Sequence, residues 1–172
     1  MKENNSKKMA YTAILVAIAV VGSSFTIPIF GAKCAPIQHL INVISAVCLG
    51  PGYALAQAFM ASVIRNMLGL GSVFAFPGSM FGAFLSGILY KRTKHLWGAY
   101  FGEVFGTGIL GGITSYPIAY LLMGNKEAAL FTFVIPFLIS TIGGTIIAIV
   151  VLTSMDKSGL LHKIQGKWQK SH

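Results

Sequence analysis

Long apolar runs separated by short polar or Gly/Pro-marked gaps dominate this chain, and their lengths predict helices sized for a bilayer. A spanning helix needs about 20 mostly apolar residues. The pattern predicts spans at 9–25, 37–49, 53–68, 79–90, 96–122 and 128–153, the second of them short. Pro28 and Pro36 bracket the first loop, Gly50-Pro51-Gly52 forms a turn, and Gly124-Asn125 turns the chain before the last span. Pro117 and Gly111-Gly112 are expected to bend the fifth span. The reading is therefore an all-α integral membrane protein with six transmembrane helices. Its parts are a polar, frayed tail at 1–8, a helical membrane domain at 9–154 and a basic tail at 155–172.

Two interhelical segments break the usual polarity of loops. Residues 27–36 carry Ile27, Ile29 and Phe30, and residues 69–79 carry Leu70, Val73, Phe74 and Phe76. Such composition suits segments that fold back over the bundle and cover a pocket; interfacial anchoring in the headgroup layer is the alternative.

Composition agrees with the pattern. Of 172 residues, 55% are hydrophobic and 10% charged, against about 25% charged in a soluble domain. Mean hydropathy is +0.74. The net charge of +9 does not point to nucleic acid, because the basic residues gather at span ends. Lys2, Lys7, Lys8, Lys91, Arg92, Lys94, Lys157, Lys163, Lys167 and Lys170, ten of the 13 Lys and Arg, fall on one side of the six-span plan. Lys33, Arg65 and Lys126 fall at or near the other. By the excess of Lys and Arg in cytoplasmic loops, both termini are cytoplasmic. Cys34 and Cys48 lie at opposite ends of the second span, about 20 Å apart at the helical rise, too far for a disulfide. They read as packing thiols, with no metal site.

Small residues recur at helical spacing. Ala10, Ala13 and Ala17 mark one face of the first span; Gly78, Gly82 and Ser86 mark the fourth; Gly98, Gly102 and Gly106 mark the fifth. In lipid such faces permit close helix approach. The fourth- and fifth-span stripes are expected to pack within the bundle, and the alanine face is free to serve another protein.

Glu103 is the one acidic residue inside a span, with Thr107 four residues on and so on the same face. A carboxyl at that depth marks a functional site by default, or else a hydrogen-bonded structural group. Gln38, His39 and Asn42 open the second span, and Arg65-Asn66 closes the third. Arg65 either faces a site or snorkels to the headgroups; His39 is either a site residue or an interfacial one. With Phe74, Phe76 and Ser79 these residues converge on the outer mouth, where Tyr116 joins them and Glu103 and Thr107 lie deeper. Aromatic rings, amides and one or two charges suit a small, flat, mostly neutral heterocycle.

No phosphate-cradling GxxxxGK[ST], HExxH or GxSxG pattern occurs, and no close Cys/His cluster. No second catalytic group stands near Glu103 or His39, so an enzyme is not expected, and neither is a cofactor. Nor do the spans carry the paired acids of a proton- or sodium-driven carrier. A solute-binding protein of this kind must borrow its energy.

These features resemble the substrate-binding S components of energy-coupling factor (ECF) transporters, specifically the ThiW type for the thiazole precursor of thiamin. The resemblance rests on the six-span plan, on Ala13 and Ala17, on RNMLGLGSVFAFPGSMFGAFLSGILYKR at 65–92 and on GEVFGTGILGG at 102–112. It implies a multi-pass protein of a prokaryotic plasma membrane that binds hydroxyethylthiazole at the outer side. It also implies docking through Ala10, Ala13 and Ala17 onto a membrane T subunit with two cytoplasmic ATPases. Their ATP turnover tips the S component over and delivers the ligand inward. An S component for another vitamin-like solute, and a structural or assembly membrane protein with no solute, are the competing readings.

Overall fold

The computed structural model describes residues 2–29, 32–122, 124 and 131–169. Phe30, Asn125, Lys126, the expected start of the last span at 128 and Lys170 lie outside the described residues.

The chain folds as a helical bundle. Helix α1 spans Lys2–Gly22, so it begins well before the apolar run, and the segment expected to fray is helical from Lys2. It ends where the Ser23 hydroxyl donates to the Ala19 carbonyl at 2.6 Å, satisfying an acceptor of the last turn. The first loop holds an antiparallel hairpin, β1 (Ile27–Ile29) and β2 (Ala32–Cys34), with Ile27 opposite Cys34. This is a small β addition that the all-α expectation lacked.

Helix α2 (Pro36–Leu49) starts on proline, whose missing N–H is an orphan there anyway. It stops at Gly50, which takes φ 93°, a conformation that favours glycine. Pro51 at once opens α3 (Pro51–Met67). Helix α4 (Ala75–Thr93) overruns the expected 79–90 at both ends and closes on a left-handed Lys94, whose N–H bonds Tyr90 O at 2.8 Å.

The fifth helix is continuous over 96–122 but changes winding. It comprises α5 (Leu96–Glu103), a π-helix π1 (Val104–Gly111), α6 (Gly112–Pro117) and a second π-helix π2 (Ile118–Leu122). Where the sequence predicts a bend, the structure shows a widened winding at 104–111 and 118–122. Pro117 has no N–H to donate and its ring crowds the preceding turn, and the wider i→i+5 pattern follows it. Helix α7 (Val134–Lys157) completes the bundle. After Gly159, at φ 71°, α8 (Leu160–Gln169) folds back. The segment expected as a tail is thus docked: Leu161 is buried, and Gln165 donates to Val47 O and the Tyr90 hydroxyl at 3.0 and 2.8 Å.

Helices α2 and α4 lie at the centre. The former packs on α1, α3, α4 and α7, the latter on α2, α3, α5 and π1. Both glycine stripes face each other across the α4 and α5–π1 contact. A Cβ on Gly106 would stand 2.6 Å from Phe81 O, and one on Gly111 2.5 Å from Gly78 Cα. At one end of the bundle Val43, Val47, Leu49, Tyr100, Ala148, Leu152 and Leu161 form a closed apolar core.

The exterior is apolar and the interior polar. Ile14, Ile18, Phe59, Phe84, Phe101, Phe105, Ile135, Ile146 and Val150 are exposed, whereas Asn42, Gln57, Ser62 and Glu103 are fully buried. This inverts the soluble pattern. Among the described residues, two helices are long and apolar enough to cross a bilayer by themselves, Leu96–Leu121 and Val134–Lys157.

Candidate functional site

Where α2, α4 and α7 begin and α3 ends, the bundle opens into a cavity of about 280 Å³. The base of the hairpin supplies Cys34 and Ala35, α2 Gln38 and His39, and α3 Arg65. The loop after α3 gives Leu70, Gly71, Ser72 and Phe74; α4 gives Ala75, Gly78 and Ser79. Thr107 comes from π1, and Pro136, Phe137 and Ser140 from α7. Six of the expected site residues therefore share one wall: Gln38, His39, Arg65, Phe74, Ser79 and Thr107.

Behind that wall lies a polar network centred on Glu103. Its Oε1 receives Asn42 Nδ2 at 3.1 Å, the Thr107 hydroxyl at 3.1 Å and His39 Nδ1 at 2.9 Å. Thr107, four residues on from Glu103, shares its helical face and so reaches the carboxyl. With Nδ1 donating to Glu103, His39 Nε2 is left to accept from the Ser140 hydroxyl, 3.0 Å away. Ser140 Oγ in turn accepts the Ala35 N–H at 3.1 Å, so the chain of donors runs from the hairpin base to the carboxyl. Asn42 also exchanges hydrogen bonds with the Ser79 hydroxyl, at 3.1 and 3.3 Å. Glu103 Oε2 has no partner among the described residues. The network is possible because glycines let the helices close: a Cβ on Gly144 would stand 2.6 Å from His39 Cβ.

Asn42 and Glu103 thus support the wall rather than face the cavity. Three expected site residues lie elsewhere. Asn66 donates to Ser62 O at 2.8 Å and Ser72 O at 3.1 Å, tying the loop to the end of α3. Phe76 packs its ring on Phe59, 5.8 Å between centroids, one helical position off the face that carries Ala75 and Ser79. Tyr116 sits against Tyr120 at 6.0 Å. Snorkelling of Arg65 is also overturned: the side chain is only 4% exposed, turned into the bundle as part of the cavity wall.

The two greasy loops divide. Leu70 and Phe74 face the cavity, and Phe74 packs on Phe133 at 4.6 Å, whereas Ile27 and Val73 are exposed. Sequence reading missed Cys34, Pro136, Phe137 and Ser140. Within the apolar run of α7, the available signal was Phe137 and Ser140 three residues apart, on one face with Gly144. Cys34 is a neutral element of the wall: burial pushes its thiol pKa up, against the opposing hydrogen bond of Ser140.

A cavity lined by both polar and apolar side chains inside an apolar-coated helical bundle is the architecture of a membrane protein. The chain belongs to the thiamine-precursor transporter protein (ThiW) family, whose profile matches residues 9–158. Among curated proteins and solved structures, none matches it.

Proposed function

We propose that the protein is the substrate-binding S component of an ECF-type transporter and that its ligand is hydroxyethylthiazole, held in the cavity among Gln38, His39, Arg65, Phe74, Phe137 and Ser140. In this reading α1, α2, α3, α4, the 96–122 helix and α7 span the membrane, both termini are cytoplasmic, and the cavity opens outward. The cavity itself carries the proposal. Its volume, about 280 Å³, is at the small end for a ligand site, which matches a single small heterocycle. Phe74 and Phe137 offer ring faces, and Gln38 and Ser140 offer polar contacts at the edge.

Delivery inward needs energy from outside the chain. In this reading the apolar core around Val47, Tyr100 and Leu152 lies between the cavity and the inner side. Movement of the whole subunit, driven by ATP hydrolysed in partner subunits, supplies the route. Ala10, Ala13 and Ala17 are exposed on α1 together with Ile14, Ile18 and Val21, an apolar face suited to a T subunit. Helix α2, with 14 residues, is about 21 Å long and too short to span alone. It is sheathed by its neighbours, and irregular backbone at its outer end is tolerated where it lines a cavity.

Titrating the thiazole alcohol into purified protein should give saturable heat, and mass spectrometry of ligand released from freshly purified protein should find a thiazole. A flat titration with folded protein removes the ligand assignment. The double change Ala13→Trp and Ala17→Trp should reduce cellular uptake at least tenfold while binding in detergent is retained. Loss of binding as well would mean that this face packs internally and is no docking surface.

A further inference from the structure

Among the described residues, the cavity wall holds one buried neutral side chain whose hydrogen-bonding capacity the protein leaves wholly unused. We propose that Gln38 is the specificity-determining residue of the site, and that it selects a ligand ending in a free hydroxyl by accepting the hydroxyl proton. The inference rests on the solute-binding reading above and deepens it: one named group makes the alcohol, and not merely its ring, the feature that is recognised.

The other buried polar groups of the wall are engaged within the protein. Thr107 donates its hydroxyl proton to Glu103, and His39 uses both ring nitrogens, on Glu103 and on Ser140. Ser140 gives its own proton to His39 and accepts the Ala35 N–H. Ser79 is paired in both directions with Asn42, and the Cys34 thiol donates to Pro136 O at 3.7 Å. Arg65 carries donors only, so it cannot receive a proton from a ligand.

Gln38 differs. Its side chain lines the cavity and the residue is 4% exposed, yet neither end of its amide has a partner among the described residues. The amide is not sealed within the wall as Nε and Nη1 of Arg65 are, and the surface it keeps opens on the cavity. Its backbone is held firmly: the Gln38 N–H donates to Ala35 O at 3.1 Å in the first turn of α2, and the Ala35 N–H ties that turn to α7 through Ser140. An amide so placed is costly to cover with carbon. A ligand hydroxyl meets it with a donor and an acceptor on one atom. An ethyl group in its place would cover the amide and pair with nothing. Burial of apolar surface acts in the opposite sense: a cavity that relied on Leu70, Phe74 and Phe137 alone would favour the ethyl compound. The sign of the preference therefore separates recognition by Gln38 from simple apolar capture.

The test is calorimetric titration of the full-length protein with two ligands. One is the thiazole alcohol; the other is the same thiazole with the hydroxyl replaced by hydrogen, leaving an ethyl side chain. The alcohol should bind at least about tenfold more tightly, because the ethyl compound leaves a buried amide unpaired. Gln38→Met, which keeps length and volume but removes the amide, should shrink that ratio to about threefold or less by weakening the alcohol. Gln38→Leu should do the same independently. Thermal unfolding verifies that each variant is folded, and the comparison in the unaltered protein needs no variant. An ethyl compound bound as tightly as the alcohol, or a preference that survives both substitutions, overturns the role of Gln38 and leaves the thiazole reading standing. Binding of neither ligand overturns both.

Discussion

Replacing Glu103 by alanine should cost about 3–5 kcal/mol of stability, the range for breaking a buried polar constellation by removing its central partner. It should also lower ligand affinity at least tenfold. Three donors from two helices, His39 and Asn42 of α2 and Thr107 of π1, would lose their shared acceptor; among these, His39 and Thr107 also form the cavity wall. Without the carboxyl, the His39 ring is held only by Ser140, and its position in the wall is no longer fixed from both nitrogens. Glu103→Gln separates the acceptor from the charge. An amide oxygen in place of Oε1 still receives all three donors, so the loss should be less than half that of the alanine variant. Thermal unfolding in detergent and ligand titration on the same preparations measure both quantities. An alanine variant as stable and as tightly binding as the parent would show that the network does not shape the site.

The second large effect concerns the glycines between α4 and the 96–122 helix. Alanine at Gly82 would place its Cβ against Thr107 Oγ1 and 2.7 Å from Glu103 Oε2. Alanine at Gly102 would place it 2.5 Å from Ser86 N and 2.6 Å from Ser86 Cα. The obstruction at Gly102 is backbone, which cannot swing aside, so the two helices must separate along their length. Overpacking of this kind costs roughly 1–3 kcal/mol. Gly82→Ala should in addition weaken ligand binding, since the groups it strikes are those that hold the wall. Gly143→Ala is the matched control. A Cβ there meets nothing within 4 Å, and alanine is the better helix former, so its unfolding temperature should be equal or slightly higher. Equal behaviour of Gly102→Ala and Gly143→Ala would refute close packing across this contact.

Much of the bundle was legible because its physics is local. Each apolar run specifies a helix by length, and Pro36, Gly50, Pro51 and Gly124 punctuate the chain where backbone torsions demand it. The glycine stripes were legible for the same reason: a four-residue repeat fixes one face whatever packs there. Local rules failed where helices meet. Phe76 and Ser79 are three residues apart and both looked suitable, but only the rotation of α4 sends Ser79 to the cavity and Phe76 to Phe59. Tyr116 follows π1, where the altered winding breaks the phase that a regular α-helix would give. Ser140 and Phe137 sit in an unremarkable apolar run until α7 is set against α2.

From the sequence alone came the apolar lengths, the small-residue faces, the clustering of basic residues at span ends and the presence of a deep carboxyl, since composition and period carry these without reference to neighbours. Tertiary structure alone decided that Glu103 braces the wall from behind, that Arg65 turns inward with its Nε and Nη1 unpartnered among the described residues, and that the 160–169 segment docks as a helix. Each of those depends on distances between segments far apart in the chain, which are set by helix rotation and close approach and leave no periodic trace in any one segment.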